Sequence, residues 1–197
     1  TTLVNLLTGY DCIFHLAAKT HSGTKATEKN LEAYRNTNVT LSCKLAKAAI
    51  AAHVPRFVYL SSIKVNGEQT FDKPFSHLDT PAPEDAYGIS KMEAEIALHK
   101  LCDNSLTSLV IVRPPLIWNR EELKGNLALL SKLISWRVPL PLKGWNTRRA
   151  LASLENLCDF LSLCTYKKDL AGETFLISDG QHYSSLDIAK LIGKPLS

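Results

Sequence analysis

The sequence is short of the features that would commit it to a membrane, a disulfide framework or a nucleic acid. No apolar run approaches the roughly 20 residues that a membrane-spanning helix needs, and no basic-then-apolar secretory stretch opens it. Its five cysteines, Cys12, Cys43, Cys102, Cys158 and Cys164, form no Cys-x-x-Cys pair and no metal-ligand spacing with the six histidines. No metal site is expected, and an odd cysteine count without a framework fits reduced thiols in a cytoplasmic protein. Basic charge is thin as well. The 23 Lys and Arg exceed the 19 Asp and Glu by only +4, and tight basic pairs occur only at Arg148-Arg149 and Lys167-Lys168. A nucleic-acid platform wants a concentrated basic face, so neither a nucleic acid nor a membrane is expected as a partner.

What is present reads as an ordinary globular chain. The 197 residues are 45% apolar and 21% charged, enough for a sizeable core. Strand-like runs at 11–17, 57–61, 109–113 and 174–178 are short, apolar and rich in β-branched or aromatic residues, as strands buried on both faces should be. Helical periodicity occupies 31–52, 86–102, 126–136, 154–164 and 185–191. This alternation predicts an α/β fold, a Rossmann-like doubly wound parallel sheet, followed by a small substrate lobe. The boundary is expected near residue 124, giving residues 1–124 as the sheet domain and 125–197 as the substrate lobe.

Helix 31–52 carries two apolar stripes at 100° per residue. Leu41, Leu45, Ala48 and Ala52 lie together, with Val39, Cys43, Ala46 and Ile50 opposite. One stripe can cover the sheet, and the other is expected to meet a second subunit. A homodimer through helices 31–52 and 86–102 is the expectation.

Tyr87 and Lys91 stand four apart on helix 86–102, so both side chains leave the same face. An ammonium near a phenol favours the phenolate, which makes Tyr87 a candidate general acid/base. Ile89, Met92 and Ile96 lie about half a turn away and are expected to be the packing face. The pair alone is weak evidence, because tyrosine and lysine are common. Ser61-Ser62 strengthens it: two hydroxyls end the strand 57–61, where open α/β sheets place their active crevice.

At this point the sequence resembles the extended short-chain dehydrogenase/reductases, specifically the NAD-dependent epimerase/dehydratase group. The matching stretches are Asp11-Cys-Ile-Phe-His-Leu-Ala-Ala18, Asn38-Val39, Phe57-Val-Tyr-Leu-Ser-Ser-Ile-Lys-Val-Asn-Gly67, Tyr87-Gly-Ile-Ser-Lys91 and Val112-Arg-Pro-Pro-Leu116. Further on stand Lys124-Gly-Asn-Leu127, Pro139-Leu-Pro-Leu142, Arg148-Arg149 and Phe175-Leu-Ile-Ser-Asp-Gly180. They follow the family's order and spacing, and the wording around Ser62 is similar to bacterial UDP-glucose 4-epimerase-like proteins of surface-polysaccharide pathways.

The resemblance implies a catalytic triad of Ser62, Tyr87 and Lys91. It implies that His15, Leu16, Ala17 and Ala18 lie along the cofactor with Asn38, Pro114, Tyr87 and Lys91. It assigns Asn126, Leu127, Ser62 and Arg149 to the nucleotide-sugar, the arginine gripping its diphosphate. The implied cofactor is NAD, with NADP left open. Tyr87 would take the sugar 4-hydroxyl proton while hydride passes from C4 to the nicotinamide, and an epimerase would return it to the other face. A 4-keto-sugar reductase and a non-catalytic dinucleotide-binding module are the alternatives.

Three departures stand against the family pattern. Its opening strand and Gly-x-x-Gly-x-x-Gly turn, which bring backbone to the pyrophosphate at a helix N-terminus, occur nowhere in the 197 residues. The chain is therefore expected to be an internal fragment or a shortened gene product. Trp118-Asn119-Arg120 stands where turn formers are usual, and Ser62-Ile63-Lys64 offers no acidic pair for 4,6-dehydration.

Overall fold

The computed structural model describes residues 2–20, 27–119, 123, 125–136, 138 and 148–193. It divides into two compact units, Thr1–Pro114 with Phe160–Leu176, and Pro115–Asp159 with Ile177–Ser197.

The first unit is built on four parallel strands in the order β1-β2-β3-β6: β1 Cys12–His15, β2 Arg56–Leu60, β3 Ser108–Arg113 and β6 Thr174–Leu176. The apolar runs are continuous rather than alternating because both faces are covered. Phe57, Tyr59, Leu109 and Ile111 point to one face, where they pack with Ala46 and Ala49 of α3 (Leu41–Ala51) and Ala94 and Leu98 of α4 (Ala86–Cys102). Val4 and Leu7 of the short helix α1 (Leu3–Leu7) close the same cluster. Val58, Val110 and Val112 alternate to the opposite face and are equally buried. The second half of α6 (Leu154–Tyr166) belongs to this unit, where Phe160 meets Phe175 of β6 edge-on at 5.3 Å between ring centroids. Each fully buried large side chain contributes roughly 1.5–3 kcal/mol through removal from water.

Helix α4 has the expected bounds. Asp85 caps it, accepting from the Gly88 backbone N–H at 2.7 Å. Its faces differ from the expectation. The sheet-facing side runs through Ala94, Leu98 and Cys102 and also carries Lys91 and Glu95, whereas Ile96 is 48% exposed and Ile89 and Met92 are half-buried. The reason is a buried ion pair: Arg113 at the end of β3 donates to both Glu95 oxygens at 3.0 and 2.6 Å and to Asn66 Oδ1 at 2.9 Å. Chemistry and packing therefore share one face, and the apolar stripe of Ile89, Met92 and Ile96 turns outward.

The expected single helix over 31–52 is three pieces: α2 (Glu28–Tyr34), a π-helical segment (Arg35–Thr40) and α3. The wider π turn carries Asn38 into the interior, where it is fully buried. Such segments recur at functional sites. On α3 the buried positions are Ser42, Ala46, Ala48 and Ala49, and Leu41 remains 51% exposed. His53 (φ 54°) ends the helix in the left-handed region.

The second unit holds a three-stranded sheet that the sequence did not announce, in the order β4-β5-β7: β4 (Leu116–Trp118) parallel to β5 (Arg148–Ser153), and β7 (His182–Ser184) antiparallel to β5. Leu127 of α5 (Gly125–Ser135), Leu151 and Ile188 of α7 (Ser185–Gly193) form its core. Asp179 is its polar hub, accepting from Trp118 Nε1, the Ser153 backbone and Asn156 Nδ2 at 3.2, 3.0 and 2.7 Å. Burial pushes its pKa up, but these donors outweigh that and hold it below the ordinary carboxylate range.

The Glu95–Arg113 pair yields a prediction. Both side chains are 6% exposed, so Glu95→Gln leaves a guanidinium buried without its counter-charge. Loss of one buried partner costs about 3–5 kcal/mol. Urea unfolding should record a drop of that size, and a change within about 0.5 kcal/mol, the range of a surface substitution, would show that the pair bears no such load.

Candidate active site

Parallel strands deliver their C-terminal ends to one edge, and the expected residues of the first unit gather there. His15 ends β1 opposite Tyr59 of β2. Leu16, Ala17 and Ala18 follow it out of the sheet, Leu16 and Ala17 exposed and Ala18 half-buried. The β2–β3 ladder continues past Leu60: Ser61 N donates to Val112 O at 2.7 Å and Ile63 N to Pro114 O at 2.9 Å. That fixes the serine turn against the end of β3 and occupies the carbonyl of buried Pro114.

Ser62 has extended backbone and caps a 3-10 turn (Ile63–Val65), its Oγ accepting from Lys64 N at 3.3 Å. Its hydroxyl lies close enough to Tyr87 to favour the phenolate. Lys91 is 1% exposed. Its Nζ donates to Leu60 O at 2.7 Å and sits 4.4 Å from the Tyr59 ring centroid and 6.0 Å from that of Tyr87. Burial lowers the Lys91 pKa to about 8, against a smaller opposing effect of Glu95.

The electrostatics of Tyr87 differ from the sequence expectation. Its pKa is raised, chiefly by burial, with Asp85 and Tyr34 adding to the rise. Ser62 and Lys64 oppose it. Among the described residues Lys64 is thus the cation acting on the phenol, with Lys91 Nζ 6.0 Å from the ring centroid.

Asn38 joins the wall behind this pair. Its side-chain oxygen accepts from Lys19 N at 2.7 Å, and its amide donates to Lys19 O at 3.1 Å and Ser90 Oγ at 2.9 Å. Ser90 in turn donates to the Tyr87 carbonyl at 2.8 Å. Ser42 donates to Asn38 O at 2.6 Å and lies 2.7 Å from His15 Nε2. With the one hydroxyl proton of Ser42 spent on Asn38, the imidazole donates from Nε2. Sequence reasoning missed Ser42 and Ser90. Their one available signal is spacing, Ser42 lying four residues after Asn38 and Ser90 three after Tyr87.

The remaining expected residues lie in the second unit. Leu127 is in its core at 7% exposure, so any ligand role falls to its backbone. Asn126 is on α5 and its side chain lies outside the described residues, as do Arg120, Lys124 and 139–142. Arg149 is exposed on β5, paired in register with Tyr183. A cleft of about 580 Å³ in the first unit is lined by Phe75, His77, Asp169, Glu173 and Phe175 among others, but by none of the expected site residues. Among the described residues no cluster suited to a metal ion occurs, and no helix is long and apolar enough to cross a membrane.

Burial holds the His15 pKa down at about 4, with Lys91 adding to the effect. Its unfolded value is near 6.5, so the unfolded chain binds the proton more readily and acid favours unfolding. Stability should be complete above about pH 6.5 and fall by up to roughly 3 kcal/mol as the pH drops toward 4. His15→Gln should remove that part of the slope in denaturation midpoints taken between pH 7 and 4. An unchanged slope would show that His15 titrates normally.

Residues 1–159 match the NAD dependent epimerase/dehydratase family. The chain is 38% identical over 180 residues to the UDP-glucose 4-epimerase of Vibrio cholerae, covering 90% of this chain and 55% of that protein. It is 26% identical over 186 residues to an uncharacterised protein of Sinorhizobium fredii, covering 93% and 50%. The chain thus spans about half the length of the curated relatives it matches. Its fold is also that of UDP-glucuronic acid 4-epimerase from Bacillus cereus solved with UDP-glucuronic acid and NAD (TM-score 0.83, 23% identity, 99% of this chain and 63% of that one). MoeE5 solved with UDP-glucose and NAD is equally alike (TM-score 0.81, 22% identity, 98% and 64%). With the family matched over most of the sequence and a serine, a tyrosine and a lysine gathered at the edge of a parallel sheet, this chain belongs to the NAD dependent epimerase/dehydratase family.

Proposed function

We propose that the protein carrying this chain inverts C4 of a UDP-linked hexose, with NAD as its cofactor. The observation that carries the reading is the Lys91 ammonium, buried on the Leu60 carbonyl at the strand end and 6.0 Å from the Tyr87 ring. A lysine has three donor hydrogens. Among the described residues only the Leu60 carbonyl takes one, which suits ribose hydroxyls. His15 to Ala18 and Pro114, at the same strand ends, suit the rest of a dinucleotide edge. The identity to a UDP-glucose 4-epimerase supports the substrate class.

NAD, when bound, would supply the acceptor and donor of hydride at the sugar C4. The chain's own residues handle the proton. Ser62 Oγ would hold the C4 oxygen, and Tyr87 Oη would take its proton and later return it. Burial raises the Tyr87 pKa and Lys64 opposes the rise, so Lys64 is the cation that favours the phenolate, while Lys91, 6.0 Å from the ring, would hold the ribose. Exposed Arg149 of the second unit would grip the diphosphate, and Asn126 and Leu127 remain the residues assigned to the nucleotide-sugar. On this reading the first unit serves the dinucleotide and the second the sugar nucleotide, the units dividing at Pro114 and returning at Phe160–Leu176 rather than at the expected residue 124.

The outward faces of α3 and α4, with Leu41 and Ile96 about half exposed, suit a homodimer through these helices. A reducing compartment such as the cytoplasm suits the five free thiols.

Tyr87→Phe tests the reading. It should lower kcat about 10²–10⁴-fold, the share of a positioned acid/base, and leave UDP-sugar affinity unchanged by calorimetry. Turnover at the wild-type rate would remove Tyr87 from the reaction.

A further inference from the structure

The serine turn and the tyrosine helix meet at Lys64. Its backbone N–H bonds Ser62 Oγ at 3.3 Å. Its Nζ donates to Asp85 Oδ2 at 2.7 Å and to Glu68 Oε1 at 2.6 Å. The other Asp85 oxygen caps α4 through Gly88 N at 2.7 Å, one residue beyond Tyr87. We propose that Lys64 is a positioning residue that sets Ser62 against Tyr87: one end holds the serine hydroxyl, the other clamps the cap of the helix that carries the tyrosine.

Two further observations show that this junction is tight. A Cβ on Gly88 would stand 2.9 Å from Lys64 O and 3.0 Å from Pro83 Cβ, so the first turn of α4 rests directly on the serine turn. The turn is also tied from behind. Val65 O accepts from Ala82 N at 3.0 Å, and Asn66 is held by Arg113 and by Ser76 O at 2.9 and 2.7 Å. With its far side fixed and its near side pressed on α4, the adjustable link is the Lys64–Asp85 bond, whose partners are 25% and 12% exposed. Burial lowers the Lys64 pKa, but its bonds to Asp85 and Glu68 more than offset that, so it stays a cation at neutral pH.

The groups facing Tyr87 are Asp85 at the start of its helix, Lys64 and Ser62 from the serine turn, Tyr34 of α2 edge-on at 6.4 Å, and Lys91 at 6.0 Å. Removing the Lys64 charge takes away a cation that lowers the Tyr87 pKa and leaves Asp85 to raise it.

The inference rests on Tyr87 as acid/base, and the test keeps the two apart. In the protein carrying this chain, Lys64→Met should lower kcat tenfold or more, leave KM for UDP-sugar within about twofold, and move the acid limb of the kcat profile to higher pH. Tyrosinate absorbance, taken as the difference from Tyr87→Phe, should report the same upward shift without turnover. Lys64→Arg should restore both. Asp85→Asn, which keeps a cap for Gly88 but gives the ammonium a neutral partner, should also lower kcat. Wild-type kcat and an unmoved Tyr87 titration in Lys64→Met, or wild-type kcat in Asp85→Asn, overturn the role of Lys64. Undiminished turnover in Tyr87→Phe overturns the acid/base reading instead.

Discussion

A lysine ammonium buried at the end of a parallel sheet is the constraint on which the first unit depends. Lys91 is 1% exposed, and among the described residues no carboxylate bonds it; Glu95, one turn along its helix, is committed to Arg113. A charge in that position is costly. It is tolerated through one carbonyl, Leu60 O, and the faces of Tyr59 and Tyr87. These partners come from β2 and α4, so the lysine is satisfied only while the helix lies on the sheet in one register. Glu95–Arg113, one turn further along, holds that register.

Around this point the polar interior is continuous. Asn38 links the π segment to the loop after β1 and, through Ser90, to the backbone of Tyr87. Ser42 extends it to His15. A widened helical turn is thus used to bring one amide to three backbone and hydroxyl groups. The site residues are held by secondary structure, and the groups that hold them are themselves bonded, which is the condition for precise placement.

Much of this was legible in the sequence, and for physical reasons. Strands buried on both faces leave continuous apolar runs, which exposed β2 and β3 at once. Helix α4 announced itself by its periodicity and its length. The identity of its buried face was not legible, because Ile89, Met92 and Ile96 read as the packing face and nothing in the sequence marks Glu95 as buried. Only the pairing of Glu95 with Arg113, 18 residues on, reverses that. The π segment was hidden because Arg35–Thr40 contains no helix breaker and its cause is tertiary. The second sheet was hidden because β4 and β7 are three residues each, too short for a period. The role of Lys64 lay in a contact 21 residues away, and in the sequence it stood merely as part of a turn departing from the family's pattern.

Lys91 must be both buried and charged near neutrality, beside Tyr87, for the sheet edge to work in this way. Its Nζ titration by NMR, assigned with Lys91→Arg as the reference, measures this directly. A midpoint near 8 is predicted, where burial has moved it. A midpoint near 10.5, the ordinary lysine value, would mean that the ammonium is in water and that α4 does not lie on the sheet as described.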